Sequence, residues 1–185
     1  SSKNSRINLE PIIGGTKNLY SGKILQLNSE KFRTENGIEV QREIVHHPGA
    51  VCMLALSQHG TIFLVEQFRA PVKKILLELP AGTLEPGEPP KTTAARELQE
   101  EIGMKPHSIT SLGGFYAAPG WCDEFIHLFL CTNLEPSVLD GDIDEEIKIV
   151  EMTLPAAVDA IKDATIIDAK TISGILIWAT MQEHK

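Results

Sequence analysis

Three glutamates, Glu97, Glu100 and Glu101, stand at i, i+3 and i+4 in the segment Ala94-Ala95-Arg96-Glu97-Leu98-Gln99-Glu100-Glu101-Ile102. On a helix this spacing puts all three carboxylates on one face. Like charges so placed repel, and they lie near the helix C-terminus, where the macrodipole disfavours anions. Each effect is worth only about 0.3–0.5 kcal/mol at an exposed site, so a solvated acidic face explains the residues taken alone. A divalent cation would turn the same repulsion into binding. Ligands that are all hard oxygens favour Mg²⁺, with Mn²⁺ as the alternative.

The flanks of this segment turn the balance toward the metal. From Gly82 to Met104 the chain fills every fixed position of G-x5-E-x7-R-E-U-x-E-E-x-G-U, where U is a bulky apolar residue: Gly82, Glu88, Arg96, Glu97, Leu98, Glu100, Glu101, Gly103 and Met104. So many specified positions in one short segment make a far stronger signal than a lone glycine motif. The segment resembles the box of the Nudix hydrolases. The resemblance implies a loop–helix–loop on an α/β/α sandwich with a mixed sheet. It implies Glu97 and Glu101 as ligands of Mg²⁺, Glu100 as a nearby or third ligand, and the carbonyl of Ala81 as a further one. Arg96 would pair with the carboxylates and fix their rotamers, with Glu88 as its structural partner. The implied reaction places water on a phosphorus of a diphosphate, with a carboxylate orienting and deprotonating that water.

Other segments narrow the resemblance. His47-Pro48-Gly49-Ala50-Val51, Phe63 through Arg69, Leu77-Glu78-Leu79-Pro80-Ala81-Gly82, and Tyr116 through Gly120 with Glu124 are similar to the ADP-ribose pyrophosphatase subfamily. So is a proline 16 residues past the last glycine of the box, from Gly103 to Pro119. From this resemblance Arg69 contacts the diphosphate, a task that suits a guanidinium fork. Glu124 lies near the ribose or the metal, and Pro119-Gly120 shapes the pocket loop. The general base comes from a late acidic loop, Asp142-Ile143-Asp144-Glu145-Glu146. Glu145 fits best and Glu146 is the close alternative, because adjacent residues on an extended segment point to opposite sides. Relatives form homodimers with swapped N-terminal strands, so the hairpin over residues 23–45 would bring Phe32, Arg42 or Glu43 to the nucleotide. The region carries no tryptophan for stacking the adenine.

Elements must position these side chains. Short alternating pieces over 18–45, with Asn36-Gly37 as a hairpin turn, predict a small antiparallel β unit. Residues 1–16 read as a loose lead-in. Ala50–Leu56 and Thr61–Gln67, joined by Ser57-Gln58-His59-Gly60, predict a second hairpin buried on both faces. Leu76–Leu79 predicts a short strand, and 81–90, rich in proline and glycine, a loop. Ala94, Leu98 and Ile102 form the apolar stripe of a helix over Thr92–Ile102, stopped at Gly103. Strands follow at Ile109–Leu112, Phe125–Cys131 and Ile147–Met152, then helices at Leu154–Ala164 and Ala169–Glu183. The order predicts an α/β (α+β) fold, with helices covering a mixed sheet. An N-terminal β unit over 1–46 would precede a catalytic domain over 47–185.

Composition excludes several classes. A net charge of −8 argues against a nucleic-acid groove, which needs a basic excess. No apolar run approaches the roughly 20 residues that span a membrane. Three cysteines without C-x-x-C spacing argue against disulfides and structural zinc. Cys52 and Cys131 read as small buried hydrophobes in a reducing, cytoplasmic protein. The resemblance implies a small nucleoside diphosphate sugar as the partner. A GDP-mannose-type sugar or a dinucleotide polyphosphate would use the same metal helix. A non-catalytic nucleotide sensor usually lacks box glutamates, and none is missing here.

Overall fold

The computed structural model describes residues 8–140 and 147–183. In chain order the elements are strands β1 (Leu9–Ser21), β2 (Gln26–Thr34), β3 (Glu39–His46), β4 (Ala50–Ala55), β5 (Ile62–Arg69), β6 (Lys74–Glu78) and β7 (Ala81–Thr83). Helix α1 (Pro90–Glu101) follows, then β8 (Met104–Tyr116), β9 (Phe125–Pro136), β10 (Ile147–Met152), α2 (Leu154–Lys162) and α3 (Ala169–Gln182). The chain forms two compact units. One comprises residues 8–48 with Ala118–Glu124, and the other comprises Gly49–Ala117 and the described residues after Glu124.

In the larger unit β4 carries the core because both of its faces are apolar. Ala50, Cys52 and Leu54 point to one side, where they meet Ile126 and Leu128 of β9, Ala157 and Ala160 of α2, and Ile175 of α3. Val51, Met53 and Ala55 point to the other side and meet Ala94 and Leu98 of α1, with Ile102 just beyond it. The period-2 alternation of a strand sorts these residues between two helix layers. This is an α/β/α sandwich. Its central sheet runs β7-β4-β9-β8, mixed because β4 and β9 are parallel while the other pairs are antiparallel. A second antiparallel sheet runs β10-β5-β6, and it too divides its side chains between the two cores.

The pairing corrects one expectation. The runs 50–56 and 61–67 are consecutive and buried, but they do not form a hairpin ladder. Only Leu56 and Ile62 bridge directly, and the two strands then diverge into different sheets. An apolar run reports burial but not the partner it pairs with. The loop expected over 81–90 begins instead as strand β7, three residues paired with β4. Helix α1 starts two residues earlier than the apolar stripe indicates, with Pro90 at a first-turn position where its missing N–H costs nothing. Gly103, at φ 66°, supplies the left-handed residue that ends it.

The smaller unit is a three-stranded antiparallel sheet, β1-β2-β3. The Asn36-Gly37 turn joins β2 to β3 as expected, with Gly37 at φ 80°. The lead-in over 8–16 is a correction, because β1 begins at Leu9 and pairs with β2 through a bulge between Pro11 and Thr16. Segment Ala118–Glu124 joins this sheet along β3. Val45 N–H donates to the Trp121 carbonyl at 2.8 Å, and Asp123 N–H donates to the Val45 carbonyl at 3.1 Å. His46 locks the junction: Nδ1 lies 2.6 Å from Asp123 and Nε2 lies 2.7 Å from Glu30. The hydrogen bonds to Asp123 and then Glu30 raise the His46 pKa. For Asp123, burial pushes upward, but the His47 N–H and His46 outweigh it and hold the carboxyl below its usual range.

All three cysteines are free and buried. Burial pushes the Cys52 and Cys131 thiols up to about 12, so both pack as hydrophobes. Among the described residues no helix is long and apolar enough to cross a membrane.

Candidate active site

Helix α1 packs on the sheet by Ala94 and Leu98; Glu101 shares that buried side at the end of β7, and Arg96, Glu97 and Glu100 continue from it as the helix's acidic face. Arg96 is the hub of this face. Its Nη1 donates to Glu97 and to Glu100, both at 2.9 Å, and its Nη2 donates to Glu88 at 3.0 Å. The Glu88 hydrogen bond comes first among the causes that raise the Arg96 pKa, so the guanidinium is a permanent cation. Arg96 in turn holds Glu88 below the usual carboxylate range. Glu88 also accepts from Thr93 at 2.8 Å, which ties the loop before α1 to its first turn.

Two carboxylates gather at the backbone corner of β7. Glu101 is nearly buried and accepts from the Ala81 N–H at 3.1 Å. Glu97 lies against Gly82 so closely that a Cβ there would stand 2.0 Å from its Cδ. Glycine at 82 is therefore required by the close approach of a carboxylate to the strand. Glu88, Glu97, Glu100 and Glu101 against Arg96 leave a formal excess of three negative charges on this face. Among the described residues no group of three or more His, Cys, Asp or Glu is closed up as a metal cage. The donor set at the corner, carboxylates beside a backbone amide unit, nevertheless fits a hard divalent cation. Such a cation takes oxygens from few protein groups and keeps the rest for water and phosphate.

Arg69 sits at the end of β5, and its fork is engaged by a residue that sequence reasoning did not single out. Nε donates to Glu78 Oε1 at 2.8 Å and Nη2 to Oε2 at 2.7 Å, a bidentate pair. Glu78 is 1% exposed. Lys170 of α3 bonds the same carboxylate and lies 3.0 Å from Asp168, the N-cap of that helix. Burial pushes Glu78 upward, but Arg69 and Lys170 outweigh it and keep it ionised. Burial also pushes Lys170 down, and Asp168 and Glu78 outweigh that too. Thr171 completes the cluster, accepting from Leu79 N–H at 2.9 Å and donating to Asp168 at 2.6 Å. The readable signal was Asp168 before a helical run, a capping pattern. The reach of Lys170 back to Glu78 spans 92 residues and has no local signature.

Phe32, Arg42, Glu43, Pro119, Gly120 and Glu124 belong to the smaller unit. Phe32 faces Val40, and Arg42 faces Glu30, so Phe32 and Arg42 share one face of that sheet. Glu43 faces Ser29 on the other side. Pro119 and Gly120 lie in a tight turn closed by Trp121 and Cys122 N–H groups on the Ala118 carbonyl. Glu124 stands 3.6 Å from His47. Glu145 and Glu146 lie outside the described residues.

Comparison with known proteins accords with this geometry. The NUDIX domain profile matches residues 45–173. The chain is 42% identical over 161 residues to an ADP-ribose pyrophosphatase of Bacillus subtilis, covering 85% of this chain and 86% of that protein. It is 38% identical over 162 residues to a methanol dehydrogenase activator of Bacillus methanolicus, covering 86% and 88%. It is 34% identical over 150 residues to a GDP-mannose pyrophosphatase of Yersinia enterocolitica, covering 75% and 78%. A crystallised ADP compounds hydrolase shares the fold, with a TM-score of 0.84 over 100% of this chain and 98% of that one, at 19% identity.

Proposed function

The chain belongs to the NUDIX family, and on that premise we propose that it is a pyrophosphohydrolase that splits ADP-ribose into AMP and ribose 5-phosphate. The observation that carries this reading is the gathering of Glu97 and Glu101 at the Ala81–Gly82 corner, beneath Arg96. The similarity to an ADP-ribose pyrophosphatase over most of both chains supports the substrate. The similarity to a GDP-mannose pyrophosphatase favours a second reading, a broader hydrolase of nucleoside diphosphate sugars.

In this reading Glu97, Glu101 and the Ala81 carbonyl would hold Mg²⁺, or Mn²⁺ in its place, with Glu100 as a third carboxylate. The cation, when bound, would supply charge neutralisation for the diphosphate and make water a better nucleophile. The chain's own groups do the rest. Arg96 fixes the carboxylate rotamers, and Glu88 fixes Arg96. Arg69 binds the diphosphate. A carboxylate, Glu145 with Glu146 as the alternative, takes the proton as water oxygen bonds to phosphorus. The bond from that phosphorus to the bridging oxygen then breaks, and one phosphate leaves with each product.

The smaller unit supplies Glu124, Pro119 and Gly120 to the substrate, with Arg42 and Phe32 from one sheet face or Glu43 from the other. We assign residues 1–46 as a dimerisation module with swapped strands, ahead of a catalytic domain over 47–185. Ile13, Tyr20, Ile24 and Ile38 are large apolar side chains left exposed on this unit, which supports a second copy as its cover. Buried free thiols suit a reducing cytoplasm. Sedimentation at micromolar concentration tests the assembly: a dimer is expected, and a monomer contradicts it. Product chromatography tests the substrate. Faster release from GDP-mannose than from ADP-ribose would replace the first reading with the second.

A further inference from the structure

Arg69 carries one positive charge and spends both arms of its fork on the buried Glu78. As a pair the two are formally neutral, and Asp168 nearby would turn the group negative were it not for Lys170. It is 14% exposed, it bonds Glu78 Oε2, the oxygen that Arg69 Nη2 also holds, and it is shared with Asp168. Arg69, Lys170, Glu78 and Asp168 thus sum to a formal charge of zero. Without the lysine the cluster would be net negative beside a helix face that already has three excess negative charges. Glu78 closely precedes Ala81 in the chain, and Glu101 accepts from the Ala81 N–H at 3.1 Å, so the cluster adjoins that face. Arg69 is also the one member that reaches solvent appreciably, its side chain being 36% exposed against 1% for Glu78.

We propose that Lys170 is a positioning residue for diphosphate recognition. It neutralises Glu78 from the protein side, so that Arg69 presents its charge outward to a diphosphate. The inference rests on the role proposed above for Arg69. Asp168 opposes Lys170 and sets how much of that charge remains. The four side chains come from β5, β6 and the start of α3, so the last helix tunes a site built by the first strands of its unit.

The account predicts opposite effects for two substitutions. Lys170→Met makes the cluster net negative and should raise KM for ADP-ribose by roughly tenfold, with kcat changed by less than about twofold. Asp168→Asn keeps a capping side chain but makes the cluster net positive, and should lower KM. Lys170→Arg keeps the charge and should restore most of the binding. A purely structural lysine predicts a higher KM or lost folding in all three. The direct readout is the Arg69 Nε–H resonance in protein carrying ¹⁵N-arginine, titrated with inorganic pyrophosphate. It should shift in the wild type and in Lys170→Arg at similar pyrophosphate concentrations, and in Lys170→Met only at concentrations about tenfold higher. Equal shifts in wild type and Lys170→Met at the same concentrations would overturn the role of Lys170 while leaving Arg69 at the diphosphate. No shift in the wild type would remove Arg69 from the diphosphate and the proposal with it. Should Lys170→Met not fold, a rise of KM in Asp168→Asn is sufficient to reject it.

Discussion

Gly82 shows how a single missing side chain shapes the chemistry. A methyl group there would stand 2.0 Å from Glu97 Cδ, so Gly82→Ala must push that carboxylate off the strand. The expected result is a folded protein, with an unchanged far-ultraviolet spectrum, whose turnover falls by about two orders of magnitude. Wild-type turnover in that variant would take Glu97 out of the site. Glu101→Gln keeps the shape and removes a ligand charge. It should weaken metal activation and cut turnover by roughly three orders of magnitude, measured as rate against Mg²⁺ concentration. Near-normal activity would move the metal elsewhere. These residues were legible because a motif fixes both type and spacing on one helix. Glu78, Asp168 and Lys170 were not legible, because they meet only after β5, β6 and α3 have packed.

Among elements, α1 is the one whose burial holds the chemistry in place. Leu98 is fully buried between its glutamates and the core. Leu98→Ala should cost about 2–5 kcal/mol in denaturant unfolding; a cost below about 1 kcal/mol would contradict the packing described. The junction of β3 with segment Ala118–Glu124 should respond to pH. His46 has a raised pKa, so its contribution is complete below the unfolded value and is lost as pH rises through the folded one. Asp123 has a lowered pKa, so its contribution is present above its unfolded value and is lost as pH falls through the folded one. The segment should therefore resist proteolysis best between those limits and loosen at alkaline pH. His46→Gln should flatten the alkaline loss, and an unchanged pH profile in that variant would exclude the histidine. Sequence reading found α1, α2 and α3 because amphipathic stripes and caps are local. It missed the first part of β1, where Pro11 and Gly14-Gly15 interrupt the run, and β7, which is too short to show a period. It paired β4 with β5, since burial on both faces does not say which strand lies alongside.

At the scale of the whole molecule, an acidic chain handles an anionic substrate. With a net charge of −8, the protein has no general attraction for a diphosphate, so recognition must come from local cations. Arg69 with Lys170 behind it, and a divalent ion at the Ala81–Gly82 corner, would supply them. The apolar run of β4, buried on both faces, announced a sheet between layers, and the glutamates announced where a cation would sit. The substrate was not written in any one segment and rests on similarity along most of the chain. The most direct test is to incubate the purified protein with ADP-ribose and Mg²⁺, with GDP-mannose and NADH in parallel, and to follow products by chromatography with and without EDTA. The account predicts AMP and ribose 5-phosphate, formed fastest from ADP-ribose and abolished by EDTA. Cleavage that persists in EDTA, or no cleavage of any of the three by folded protein, would contradict it.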